Sequence, residues 1–173
     1  MNKLISLIVI FTSLLFTACG GSPPEPPSVT DVFNSYELTS FSVEGTSGDT
    51  PEGLAPIDPQ TNGGEFLLRW TVREALQNSI RLIVSEDNNL SDDDVEIYFF
   101  ICNIATFCGQ AQVRMPCEFD TDDVMECGLL IKESAFLTSF LDTIPKDAFI
   151  IIESCLNGFP LLCDTRSDGV QFQ

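Results

Sequence analysis

The sequence predicts an all-β antiparallel sandwich of about seven strands with one short helix, following an amino-terminal leader and a flexible linker. Three observations carry this. Apolar and polar residues alternate with period two, most clearly across Phe66–Arg73 and Val113–Phe119. Short runs rich in Gly, Pro, Asn and Asp separate the apolar segments. Six of the seven cysteines fall between residues 102 and 163, in a chain of 173 residues with a net charge of −18.

The leader begins with Lys3 and runs from Leu4 to Phe16, broken only by Ser6, Thr12 and Ser13. A bilayer-spanning helix needs about 20 apolar residues, so this shorter run reads as an export signal. Ala18 suits the position before a cleavage site, whereas Phe16 is too large for the position two residues earlier. Phe16-Thr17-Ala18-Cys19 instead resembles the lipobox of bacterial lipoproteins, with Phe16 where that family usually has Leu. The resemblance implies a signal peptide over 1–18, removed before Cys19, and a cysteine carrying diacylglycerol and palmitate-type acyl chains. It also implies attachment to a membrane. Gly20, rather than Asp, follows the cysteine, which by the same resemblance favours the outer over the inner membrane. Residues 19–30 form the linker, and its segment GGSPPEPPS combines flexible and extended sequence that would hold a domain clear of a surface. Residues 31–173 are expected to form the single domain.

Within the domain, Tyr36–Val43 is an expected first strand with an irregular pattern, and 45–63 reads as a long loop. Phe66, Leu68, Trp70 and Val72 form one strand face; Ile80, Leu82 and Val84 form the next. Val95–Ile101 is apolar on both faces and is expected to be buried on both. Ala111, Val113, Met115, Cys117 and Phe119 share a face, with Pro116 opposite. Because proline cannot donate to a ladder, that strand is expected at a sheet edge. Met125, Cys127, Leu129 and Ile131 share another face. Between Glu133 and Asp142 the spacing of Ala135, Phe136, Phe140, Leu141 and Ile144 predicts a short helix, capped by Ser134 and stopped by Pro145. Ala148–Cys155 reads as a central strand and Val170–Phe172 as a short last one.

Trp70, followed by SIRLIVSEDNNLSDDDVEIYFF, resembles the immunoglobulin-like and fibronectin-type modules of bacterial surface proteins across residues 65–102. That resemblance implies an immunoglobulin-like sandwich. No cysteine lies on the second strand, so the inter-sheet disulfide of antibody domains is absent.

Cys102, Cys108, Cys117, Cys127, Cys155 and Cys163 form an even set in an exported domain, which argues for disulfides. Their spacing suggests sequential pairs. Cys117–Cys127 is the strongest, since both cysteines lie on apolar faces of strands joined by Asp120–Asp123. A zinc site is the competing reading, though no CxxC spacing is present.

The chain has 26 acidic and 8 basic residues and no histidine. Nucleic acid is therefore an unfavourable partner, and Ser-His-Asp or Cys-His catalysis is impossible. The expected role is a non-catalytic, membrane-tethered envelope protein whose domain binds another envelope protein or a glycan, or supports it structurally. Two alternatives remain. One is a calcium-dependent adhesion module using Asp87, Asn89, Asp92 and Asp94 in the strand connection SEDNNLSDDD, although calcium-loop spacing is absent there. The other is a hydrolase working with two carboxylates. Phe99, Phe100, Phe119, Phe136, Phe140 and Phe149 divide between core and a ligand platform, with core expected. Phe107 and Phe159 sit in cysteine-flanked loops that could present them to a partner.

Overall fold

The structure, a computed structural model, describes residues 37–73, 78–102, 112–128, 131–156 and 163–173. Ten strands are present: β1 (Glu37–Glu44), β2 (Ala55–Ile57), β3 (Glu65–Arg73), β4 (Asn78–Ser85), β5 (Val95–Ile101), β6 (Val113–Phe119), β7 (Val124–Cys127), β8 (Glu133–Phe136), β9 (Lys146–Leu156) and β10 (Cys163–Phe172). They form two five-stranded sheets, ordered β1-β3-β6-β7-β8 and β2-β10-β9-β4-β5. All pairings are antiparallel except that of β2, which runs parallel to the end of β10.

The inner faces follow the sequence alternation. Phe66, Leu68, Trp70 and Val72 from β3 meet Ile80, Leu82 and Val84 from β4 in one core. Two aromatic pairs join the sheets. Trp70 packs 6.3 Å from Phe100, and Phe119 meets Phe172 edge-on at 5.1 Å. Such pairs contribute about 0.5–1.5 kcal/mol beyond area burial.

The layout of β1, β3, β4, β5, β9 and β10 follows the immunoglobulin arrangement, including its C′-C-F-G order. It departs at β6–β8. In the immunoglobulin order the later of the two middle strands lies beside the second strand; here the earlier one, β6, lies beside β3, and the chain steps outward to β7 and β8. The connections β6–β7 and β7–β8 are short, and strands so joined lie side by side.

Several local expectations are corrected. No helix forms over 133–142. Ala135 and Leu137 are buried in strand alternation, while Phe136 is 72% exposed. The Ser134 hydroxyl donates to Glu126 across the β7–β8 ladder rather than capping a helix. Only a single turn follows, with the amides of Phe140 and Leu141 both donating to the Leu137 carbonyl. The region expected to be one long loop contains β2, whose three residues are all buried, and a 3-10 turn at Asn62–Gly64. The last strand is ten residues long, not three.

β6 is not at a sheet edge, since it pairs with both β3 and β7. Pro116 is tolerated because β7 ends opposite Cys117. Beyond that point only the Gly128 amide approaches, donating to the Pro116 carbonyl at 3.2 Å. A strand residue presents its nitrogen and carbonyl on the same side, so the missing N–H faces a place where the ladder has already finished. The face shared by Met125 and Cys127 also ends there, and Ile131 is 74% exposed.

Two bulges explain the irregular strands. Thr39 is the extra residue of β1, since Leu38 pairs Val72 and Ser40 pairs Thr71. In β5, Glu96 pairs Ile83 and Tyr98 pairs Leu82, leaving Ile97 between them. A bulge reverses the parity of the residues after it. Ile97 is buried, Tyr98 and Phe100 then turn to the core, and Phe99 and Ile101 face outward. The expectation that β5 is buried on both faces fails for this reason.

Candidate functional site

The acidic connection between β4 and β5 is a self-bonded turn. The Asn89 amide donates to the Asp87 carboxylate at 2.7 Å. The Ser91 amide and hydroxyl both donate to Asp94, at 2.8 and 2.9 Å. These carboxylates therefore satisfy their own loop, as Asp commonly does in turns. The connection folds over the outer face of the second sheet. Leu90 lines one hollow with Ile83 and another with Ile151. Both isoleucines are only 2% exposed although they face away from the core.

Asp92 and Asp94 line the hollow that also holds Arg81, Glu96 and Glu153. Its cation is Arg81, whose guanidinium reaches Glu96 at 2.8 Å and Glu153 at 3.0 Å. The Glu96 hydrogen bond, above all, holds the guanidinium above its ordinary pKa, with Glu153 adding to it against burial. The carboxylate oxygens of Asp87, Asp92 and Asp94 do not all lie within 4.8 Å of one another, so the suspected calcium ligands do not converge. The other acidic run behaves similarly, with the amides of Asp122 and Val124 donating to Asp120. Calcium is accordingly expected to leave the melting temperature within about 1 °C of its value in chelator, since a ligand stabilises only by binding the native state. A calcium-specific rise beyond that, which magnesium does not reproduce, would contradict this reading.

The cysteines are oxidised wherever they are described. Cys117 and Cys127 sit opposite each other on β6 and β7 and are bonded, with Cα atoms 4.2 Å apart. Cys155 and Cys163 are bonded across β9 and β10, with Cα atoms 4.0 Å apart. Cys102 is also disulfide-bonded. The zinc reading fails on these bonds, because a zinc ligand is a thiolate. The same holds for the one group of three close metal-ligand types among the described residues, Glu153, Cys155 and Cys163. Cys19, Cys108, Phe107 and Phe159 lie outside the described residues.

The six phenylalanines separate. Phe119 and Phe140 are buried, and Phe100 packs against the core. Phe149 is half-buried. Phe99 and Phe136 are exposed, and the seam between β5 and β8 brings their strands together. There the Glu133 carboxylate accepts from the Phe99 amide at 3.3 Å, and the Tyr98 hydroxyl reaches the Ile131 carbonyl at 3.5 Å.

Sequence reasoning missed the opposite seam, where β10 meets β1. Asp164 accepts from the Leu38 amide at 2.9 Å, and Asp168 from the Val43 amide at 2.8 Å. Between them the Arg166 guanidinium donates to the Leu38 carbonyl at 2.9 Å. Side chains of one sheet thus occupy backbone groups that β3 leaves unpaired along the edge of the other. The available signal was a polar triplet at i, i+2 and i+4 in a β domain.

A third cluster ties connections together. Lys146 donates to Glu86, the Phe140 carbonyl and Asp142 at 2.6, 2.6 and 3.2 Å, and lies 4.6 Å over the Phe140 ring. Glu86 chiefly holds its ammonium above the ordinary lysine range.

No protein-family model, curated protein or solved structure matches the chain. Among the described residues no helix is long and apolar enough to cross a membrane.

Proposed function

We propose that the chain is a lipid-anchored, non-catalytic envelope protein whose disulfide-stapled sandwich binds or supports another envelope component. The pair of cross-strand disulfides carries this reading on the structural side. Cysteines adjacent in the ladder stay oxidised in an exported compartment and not in a reducing cytosol. The export signal and the Phe16-Thr17-Ala18-Cys19 segment support the anchor, and the proline-rich linker supports a domain held off the membrane. Several acyl chains would give stable attachment where one would not. With Gly20 after the cysteine, the outer membrane is the proposed location.

Binding rather than catalysis is supported by the chemistry on the surface. The candidate carboxylates Asp87 and Asp94 accept hydrogen bonds within their own turn, whereas large apolar side chains stand in solvent. The test is metabolic labelling with palmitate. Cys19→Ala is expected to abolish incorporation and to accumulate unprocessed precursor. Equal labelling of this variant and the parent would overturn the anchor.

A further inference from the structure

We propose that the outer face of the first sheet, along β3 and β6, binds a short zwitterionic peptide by both of its free ends. Three successive cross-strand pairs share this face, because alternate residues of a strand point the same way. They are Glu65 with Glu118, Leu67 with Pro116 and Arg69 with Arg114. The residues between them, Phe66, Leu68, Met115 and Cys117, are buried in the core. The outer face therefore carries two acids, then an apolar pair, then two bases. Like charges set directly opposite each other are unfavourable in a sheet. Neighbours answer one member of each charged pair: Lys132 reaches Glu118 at 3.0 Å, and Glu44 reaches Arg69 at 2.8 Å. Glu65 and Arg114 remain, with no ion pair among the described residues. A hollow of about 440 Å³ lies on the same face, lined by Leu67 and Pro116 with Glu44, Glu65, Glu118 and Lys132. Glu44 belongs both to that hollow and to the Arg69 ion pair, which joins the hollow to the arginine row.

Charge and spacing select the occupant. The whole chain carries −18. A polyanion is repelled by it, and a polycation is drawn to acidic surface everywhere rather than to this face. A ligand with one ammonium, one carboxylate and no net charge is instead oriented by the two ends of the face. Its ammonium goes to Glu65 and its carboxylate to Arg114, since a guanidinium fork matches a carboxylate. Arg114 pairs with Arg69, four residues along β3 from Glu65. Four strand residues span about 13 Å, at about 3.3 Å each. An extended peptide of four residues spans about the same length. Its middle then lies over Leu67 and Pro116. This proposal rests on the binding role above but not on the anchor, so palmitate labelling and peptide binding can fail separately.

The probe is tetraalanine with free ends, titrated against the full-length chain in detergent with its disulfides intact and followed through the peptide's NMR signals. Tetraalanine is expected to bind. Acetylating its amino end, or amidating its carboxyl end, is each expected to weaken binding by about fivefold or more. Dialanine, too short to reach both ends of the face, is expected to weaken by at least as much. Arg114→Gln is expected to bind tetraalanine and its amide equally, and Glu65→Gln to bind tetraalanine and its acetylated form equally. Each substitution removes one member of a like-charged pair, so neither is expected to lower the melting temperature. Should one variant fail to fold, the other still tests its own end. Absence of tetraalanine binding, equal binding of a peptide blocked at both ends, or dialanine binding as tightly overturns the proposal. So does tighter binding of tetraglutamate or tetralysine, either of which would give the face to a ligand of a single sign.

Discussion

Replacing Asp164 and Asp168 together with alanine is expected to lower the unfolding free energy by about 2–5 kcal/mol, because each substitution leaves a backbone donor without its acceptor at about 1–3 kcal/mol. The donors are the amides of Leu38 and Val43, whose side chains are 0 and 6% exposed. β1 is the edge strand of the first sheet, paired on one side by β3. The other side would offer unpaired groups to any passing chain. The carboxylates close that side, and Arg166 occupies the Leu38 carbonyl. Denaturant unfolding of the double variant measures the loss. Asp164→Asn with Asp168→Asn keeps an acceptor at each position and is expected to recover most of it. A double alanine variant as stable as the parent would mean that the seam adds nothing.

The second large effect is expected at Gly64. Its φ is +73°, and an added Cβ would lie 1.8 Å from the Phe119 carbonyl oxygen. Neither side can yield easily. Phe119 ends the central strand β6, and its ring is fully buried against Phe172. Gly64→Ala combines a left-handed backbone penalty of about 1–2 kcal/mol with overpacking of about 1–3 kcal/mol. A loss near 3 kcal/mol follows. The neighbouring Gly63 separates the two causes. Its φ is +67° but nothing lies within 4 Å of its would-be Cβ. Gly63→Ala therefore bears the backbone penalty alone, about 1 kcal/mol. Equal losses at the two positions in a thermal or urea melt would refute the clash.

Most of the sandwich was legible where one face is apolar and the other wet, as in β3 and β6. The Cys117–Cys127 pairing was legible for the same reason, since both cysteines sat on apolar faces of a hairpin. What failed had physical causes that periodicity does not encode. The start of β10 was hidden because Asp164, Arg166 and Asp168 serve the edge of the opposite sheet. β8 carries a helical signal because Phe140 and Ile144 beyond it fall four and eight residues after Phe136. The exposed faces of Phe99 and Ile101 were hidden by the Ile97 bulge, which no single-strand pattern reveals. For the candidate sites, acid-rich composition pointed to Asp87, Asn89, Asp92 and Asp94, yet hydrogen bonding within the loop already satisfies Asp87 and Asp94. The exposed seam could not be read at all, because it depends on which strands end each sheet.

In the proposed role, Cys19 holds a disulfide-stapled domain on a membrane. Intact-mass measurement of the protein extracted from the membrane fraction, unreduced and thiol-blocked after unfolding, tests it most directly. The expected species begins at Cys19, is heavier than its residues by acyl groups, and carries no blocked thiol among the remaining six cysteines. An unmodified amino terminus at another residue, or recovery of the protein with free thiols, would contradict it.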